Sequence, residues 1–244
     1  MNRIRAFFAR VGEPEAAPPW TMATVLVVIV VALVAMLAGA FIAVIWGGTQ
    51  DFVELAGWTV GGILIAAFIW QTQKRDVLLA PSTTPILFVM FVSLGCAIAL
   101  DLISQAVTQG FLLKPELLAL TPTKLGPLEW LFAIAFMVVV QPIAEGLIFR
   151  AITLPTLAVL LGSWGGIIGA AIVAGIFHLM IYPPNYNGGT PITPIWYGLA
   201  LPIIEGIIYG AVRGSTKSNR AAIAAQVAFG IFAVIKLLML TGVS

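Results

Sequence analysis

The sequence predicts an all-α, polytopic membrane helix bundle of about seven transmembrane helices (six to eight), one of them long and kinked at proline. Three observations carry this. Apolar residues make up 61% of the 244 positions. Charged residues make up only 9%, where a water-soluble domain carries about 25%. Seven apolar segments, 21–46, 54–70, 86–107, 128–150, 164–182, 195–213 and 221–241, are separated by short pieces carrying turn residues. A helix needs roughly 20 residues to cross the hydrocarbon core. The formal net charge of +2 is too small to suggest nucleic acid. The lone Cys96 excludes an intramolecular disulfide or a Cys-x-x-Cys site.

The chain opens with NRIRAFFARV, where Ile4, Phe7, Phe8 and Val11 interleave with Arg3, Arg5 and Arg10. Residues 1–20 are expected to form a basic interfacial segment. It either lies in the headgroup plane as an amphipathic helix or hangs as a tail that orients the first span. The run from Thr21 to Trp46 is longer than a signal-peptide core and reads as a retained span. Residues 21–244 then form one transmembrane domain. With the N-terminus inside, the inner segments hold Arg3, Arg5, Arg10, Lys74, Arg75, Arg213, Lys217 and Arg220, against Lys114 and Lys124 outside. This bias predicts a cytoplasmic N-terminus and an integral protein of a bacterial inner (plasma) membrane. The stretch 128–161 would be roughly 50 Å of helix at 1.5 Å per residue, longer than one span. Pro142 and Pro155 lie within it, and each removes a donor and clashes one turn back, so a kinked or protruding helix is expected.

A charged residue at the centre of a span costs roughly 2.5–3.5 kcal/mol on insertion scales, so intramembrane polar residues are functional candidates. Here they are Asp101, Gln141, Glu145, Arg150, His178, Glu205, Gln226 and Lys236. Glu145 has Gln141 four residues back on the same helical face, Pro142 loosening the turn and Gly146 beside it. Arg150, five residues on, is poorly placed to pair with Glu145 within a regular α-helix. The pair reads either as a site or as an ion pair that fixes packing. His178 is the only histidine and follows the small-residue run WGGIIGAAIVAGIF, which lets helices come close. It reads as an acid–base partner for a carboxylate or as a histidine bonded to a backbone carbonyl.

The segment PIAEGLIF at 142–149 is echoed by PIIEGIIY at 202–209. Glu205, the counterpart of Glu145, has Gly210 where Arg150 stands and no histidine after it. Glu205 is expected to be structural or cavity-lining, with Asp101 and Lys236 either as its partners or paired with each other. Gln226 offers an amide to another helix or to a reacting group.

Taken together, these residues resemble the CPBP family of intramembrane proteases, the CAAX prenyl endopeptidases and bacteriocin-processing or immunity (Abi-like) proteins. The core of the resemblance is 128–241. PIAEGLIFR matches the Glu-Glu-x-x-x-Arg motif with Glu145 and Arg150, but with Gly146 at the second glutamate. AGIFH matches Phe-x-x-x-His with His178, and Ala174 replaces the Phe. QVAFG matches His-x-x-x-Asn only in spacing, with Gln226 and Gly230. The resemblance implies that Glu145 and His178 activate a water against a peptide carbonyl within the membrane. It implies that Arg150 organises the site and that Gln226 stands at the oxyanion position. A divalent metal has been proposed for the family, but Glu145 and His178 alone are too thin a ligand set, so the cofactor stays unknown.

Three functions follow. The first is a CPBP-like endopeptidase acting on a membrane-associated peptide or protein. The second is a catalytically inactive member of the fold, serving as an accessory subunit beside partner membrane proteins. The third is a carrier using Asp101, Glu145, Glu205 and Lys236. For Glu145, His178 and Gln226 to converge, the turn between 150 and 168 must protrude by about two helical turns and so lower His178.

Overall fold

The computed structural model describes residues 3–47, 52–73, 78, 81–82, 84–118, 120, 125–186 and 188–241. Lys74, Arg75 and Lys124, used in the charge count above, lie outside them. The described residues are helical with no strand, and six of the helices are long and apolar enough to cross a membrane. Helix α1 is Arg3–Gly12, α2 Met22–Gly47, α3 Val53–Thr72 and α4 Ile86–Thr108. The longest, α5, is Pro127–Ile181, followed by α6 at Thr193–Thr216 and α7 at Asn219–Thr241.

Helix α5 is two antiparallel arms. At Gly162 the backbone turns to φ 74°, ψ 168°, a conformation that is essentially glycine-only. A Cβ built on Gly166 would fall 2.7 Å from Ala158 Cα, and one on Gly169 3.1 Å from a Leu157 methyl. The arms 127–161 and 163–181 therefore run back along each other, so that α5, one of the six helices long and apolar enough to cross a membrane, contains two of the expected apolar segments. Glu145 and His178 stand nearly the same number of residues before and after Gly162, so the hairpin brings them to one level. The reversal falls between 150 and 168, where convergence of the motifs requires a turn.

The prolines shape the first arm. Pro142, Pro155 and Pro202 each follow a π-helical stretch, at Ala135–Val140, Gly146–Thr153 and Trp196–Ala200. In each case the residue before the proline donates its N–H five residues back: Gln141 to Phe136, Leu154 to Phe149, Leu201 to Trp196. The wider turn relieves the clash of the proline ring with the carbonyl four residues back, and such turns recur at functional sites. Both copies of the Pro-Ile-x-Glu-Gly repeat have this π turn in front of the proline.

Close approach elsewhere rests on small residues. A Cβ on Gly57 would lie 2.5 Å from the Gly39 carbonyl, and one on Gly61 2.6 Å from that of Ala35, so α2 and α3 touch backbone to backbone. Helix α1 is docked, with Val11 fully buried beside Leu154, Ile167 and Ala170. Arg213 holds Glu15 through two 2.7 Å bonds, and Lys217 Nζ donates to the Glu13 carbonyl at 2.9 Å. Leu26, Val30, Val34 and Phe41 on α2 and Leu87, Phe88 and Phe91 on α4 are exposed, an outer surface suited to lipid.

Candidate active site

Between α4 and α5 the chain re-enters the protein. Helix α4 ends at Gln109 in the left-handed region, and a single 3-10 turn forms at Pro115–Leu117. Leu113, Leu117 and Leu120 are buried, which matches the apolar letters FLLKPELLAL. Tyr186 Oη donates to the Leu113 carbonyl at 2.7 Å and Tyr197 Oη to that of Leu112 at 3.3 Å. The turn delivers Lys114 and Glu116 into the bundle.

There a continuous polar chain crosses four elements. His178 Nε2 lies 2.9 Å from Glu116 Oε1. Gln141 Nε2 donates to Glu116 Oε1 at 2.8 Å and to Glu145 Oε1 at 3.0 Å. Gln226 Nε2 donates to Glu145 Oε2 at 2.8 Å. Glu145 and His178 thus meet one cavity through Glu116 and Gln141. Arg150 Nη1 donates to the Glu145 carbonyl at 3.3 Å, a five-residue reach that the π turn permits, and its guanidinium sits 4.8 Å from the Tyr209 ring centre. Those contacts occupy the arginine where Gly146 offers no carboxylate.

Glu205 lines the same cavity from α6. Lys114 Nζ lies 2.7 Å from both of its oxygens, and Tyr209 Oη donates to it at 3.3 Å. Asp101 and Lys236 pair with each other. The two repeated glutamates therefore face one cavity with different partners. The repeated glycines both admit a neighbouring helix, Gly146 against Ile223 of α7 and Gly206 against Ala171 of the second α5 arm. Lys114, placed by its loop among the outer cations, is half-buried in the site. The cavity has a volume of about 20 Å³, enough for about one water. A second, of about 30 Å³, adjoins it across Lys114, Glu205 and Phe229 and reaches Asp101 and Lys236.

Burial pushes the Glu116 carboxyl up, but the His178 charge and hydrogen bond, with Lys114 and Gln141, outweigh it and hold the carboxyl at about 2. Burial pushes the Lys114 ammonium down, yet Glu205, Glu116 and Glu145 raise it overall. Tyr182 is driven well up by burial and by Glu145 and Glu116, so it stays a neutral proton donor, edge-on to the His178 ring at 4.7 Å. Glu116 Oε2, His178 Nδ1, Tyr182 Oη and Gln226 Oε1 have no hydrogen-bond partner among the described residues.

The residues present do not fit a divalent ion. No three His, Cys, Asp or Glu among the described residues converge as a ligand set, and the Gln141 amide stands between Glu116 and Glu145. Glu116 and Lys114 were invisible to sequence reasoning, because a Lys-Pro-Glu loop reads as solvated. The leucines on either side were the available signal that it is not.

The fold and site define a helical membrane protein with carboxylates, an imidazole and cations gathered around a water-sized space. Residues 127–232, a little under half of the chain, match the family of type II CAAX prenyl endopeptidases, Rce1-like. The matched stretch is similar at family level to CAAX/CPBP-type intramembrane proteases, in line with the resemblance of the motifs. No curated protein and no solved structure matches the chain.

Proposed function

We propose that the protein is an intramembrane endopeptidase that hydrolyses a peptide bond of a membrane-associated substrate by an activated water. The observation that carries this is the joining of Glu145, Gln226 and His178 around one water-sized cavity. Each Glu145 oxygen accepts one amide hydrogen bond and keeps a lone pair for water. Glu145 takes a proton from water as the water oxygen bonds to the peptide carbonyl carbon, and the carbonyl π pair moves to its oxygen. Gln226 gives one N–H to Glu145 and retains a second for that oxyanion, with the charges of Lys114 and Arg150 nearby. When the oxyanion collapses, the C–N bond breaks. Its electron pair stays on nitrogen, which takes a proton from the His178 imidazolium, formed when the proton held by Glu145 passes to the imidazole through water. A carboxylic acid and an amine are left, with both side chains in their starting states. Arg150 tethers the Glu145 backbone. The N-terminus is cytoplasmic, residues 1–20 lie along the headgroups, and the host membrane is a bacterial inner membrane.

Gly146 and Gly230 do not by themselves favour an inactive accessory subunit, since both are occupied in helix packing: a Cβ at 230 would lie 1.9 Å from the Met137 carbonyl oxygen. The test is purified protein in proteoliposomes with a prenylated C-terminal peptide, cleavage being read by mass spectrometry. Cleavage is expected to fall at least about 10³-fold in Glu145→Gln. Cleavage unchanged by that substitution refutes the mechanism.

A further inference from the structure

Glu116 lies outside the matched stretch 127–232, and no motif in the chain assigns it a role. It is 1% exposed, a position a carboxylate almost never takes unless paired. Both groups bonded to it belong to the site: Oε1 faces His178 Nε2 at 2.9 Å and accepts from Gln141 at 2.8 Å. Its second oxygen has no partner among the described residues. The matched core, meanwhile, lacks its second motif carboxylate, and position 146 cannot supply one in this packing. A Cβ there would meet Ile223 Cγ1 at 2.5 Å, and Ile223 belongs to the helix that carries Gln226.

We propose that Glu116 is a positioning residue of the site, a second carboxylate brought in by the Pro115–Leu117 turn that fixes the orientation and tautomer of His178. The inference rests on the hydrolase reading above for its consequence in catalysis, but not for its geometry. With Nε2–H donated to Glu116, Nδ1 is the free nitrogen. A carboxylate beside an imidazole sets which ring nitrogen carries the proton and stabilises the imidazolium when it forms. The imidazole's carboxylate contact is with Glu116, while the Glu145 oxygens accept from Gln141 and Gln226. The other charges near the imidazole are Glu145 and Lys114, and Lys114 is held by Glu205.

Because His178 is the only histidine in the chain, ¹⁵N-histidine labelling gives a single imidazole to observe in detergent, with no substrate. In the wild type the Nε2–H proton is expected far downfield, hydrogen-bonded to a carboxylate. Glu116→Gln, which keeps the shape and removes the charge, is expected to move it upfield. The same substitution should lower kcat by roughly 10²-fold or more with KM little changed, and Glu116→Asp should recover part of both. An Nε2–H resonance identical in wild type and Glu116→Gln overturns the proposal. If Glu116→Gln does not fold, Glu116→Asp decides. Its shorter carboxylate must shift the resonance, and an unshifted resonance again overturns the assignment. A resonance that responds while the wild type cleaves nothing leaves Glu116 assigned and removes the hydrolase reading. Cleavage that needs Glu145 but is indifferent to Glu116 does the reverse.

Discussion

Gly230→Ala tests the geometry at its tightest point. The added carbon lands 1.9 Å from the Met137 carbonyl oxygen and 2.7 Å from its carbonyl carbon, where ordinary contact begins at 3.4 Å. The obstacle is backbone, so no rotamer change relieves it. Helix α7 and the first arm of α5 must part by the shortfall from 3.4 to 1.9 Å, about 1.5 Å. Overpacking of this kind costs about 1–3 kcal/mol, and a backbone clash belongs at the upper end. About 3 kcal/mol corresponds to a melting temperature lower by roughly 6–12 °C for a chain of this size. Gln226 lies one turn before Gly230 on the same face. Its 2.8 Å bond to Glu145 would stretch out of hydrogen-bonding range under such a separation. A 1 Å misplacement costs about 10²-fold in rate, and cleavage should fall by at least that. Thermal melting in detergent and cleavage in proteoliposomes read the two effects. Gly95→Ala, where nothing lies within 4 Å of the new Cβ, is the control and should melt at or above the wild type. A Gly230→Ala protein that melts and cleaves like the wild type would refute the close packing of α7 on the π turn.

Two further predictions concern the charges. Glu205→Gln leaves the half-buried Lys114 ammonium beside a neutral amide; breaking a fully buried pair costs about 3–5 kcal/mol, and this part-exposed pair should cost less, with Lys114→Met costing a similar amount and the double variant less than their sum. Additive losses in thermal melts would show that the 2.7 Å pair carries no coupling. With pH, the depressed Glu116 carboxyl contributes stability that is complete above its ordinary 4.5 and lost as pH falls through about 2. The raised Lys114 ammonium contributes stability that is complete below 10.5 and lost as pH rises through its higher folded value. The melting temperature should hold a plateau between those limits, and Glu116→Gln should flatten the acid limb; an acid limb identical in both proteins contradicts the assignment.

Much of the fold could be read from the letters. Apolar runs of span length leave a chain little choice but helices, because backbone groups in lipid must bond within their own segment. Pro142 and Pro155 announced disturbed turns for an equally local reason. His178, Glu145 and Gln226 stood out because polar groups within such runs are costly. The partners did not stand out, since a partner is set by where distant segments end up. Asp101 and Lys236 could have served Glu205 on sequence grounds, yet they pair with each other and Glu205 holds Lys114.

By itself, the sequence determined a polytopic helical membrane bundle and the residues around which a hydrolytic site could form, because local periodicity and the cost of polar groups in lipid are properties of single segments. Only the tertiary structure decided that the α5 hairpin brings Glu145 and His178 to one level, and that a buried loop adds Glu116 and Lys114 between them. Those outcomes depend on how far one arm runs before it reverses at Gly162 and on which backbones can touch, quantities that no stretch of sequence carries alone.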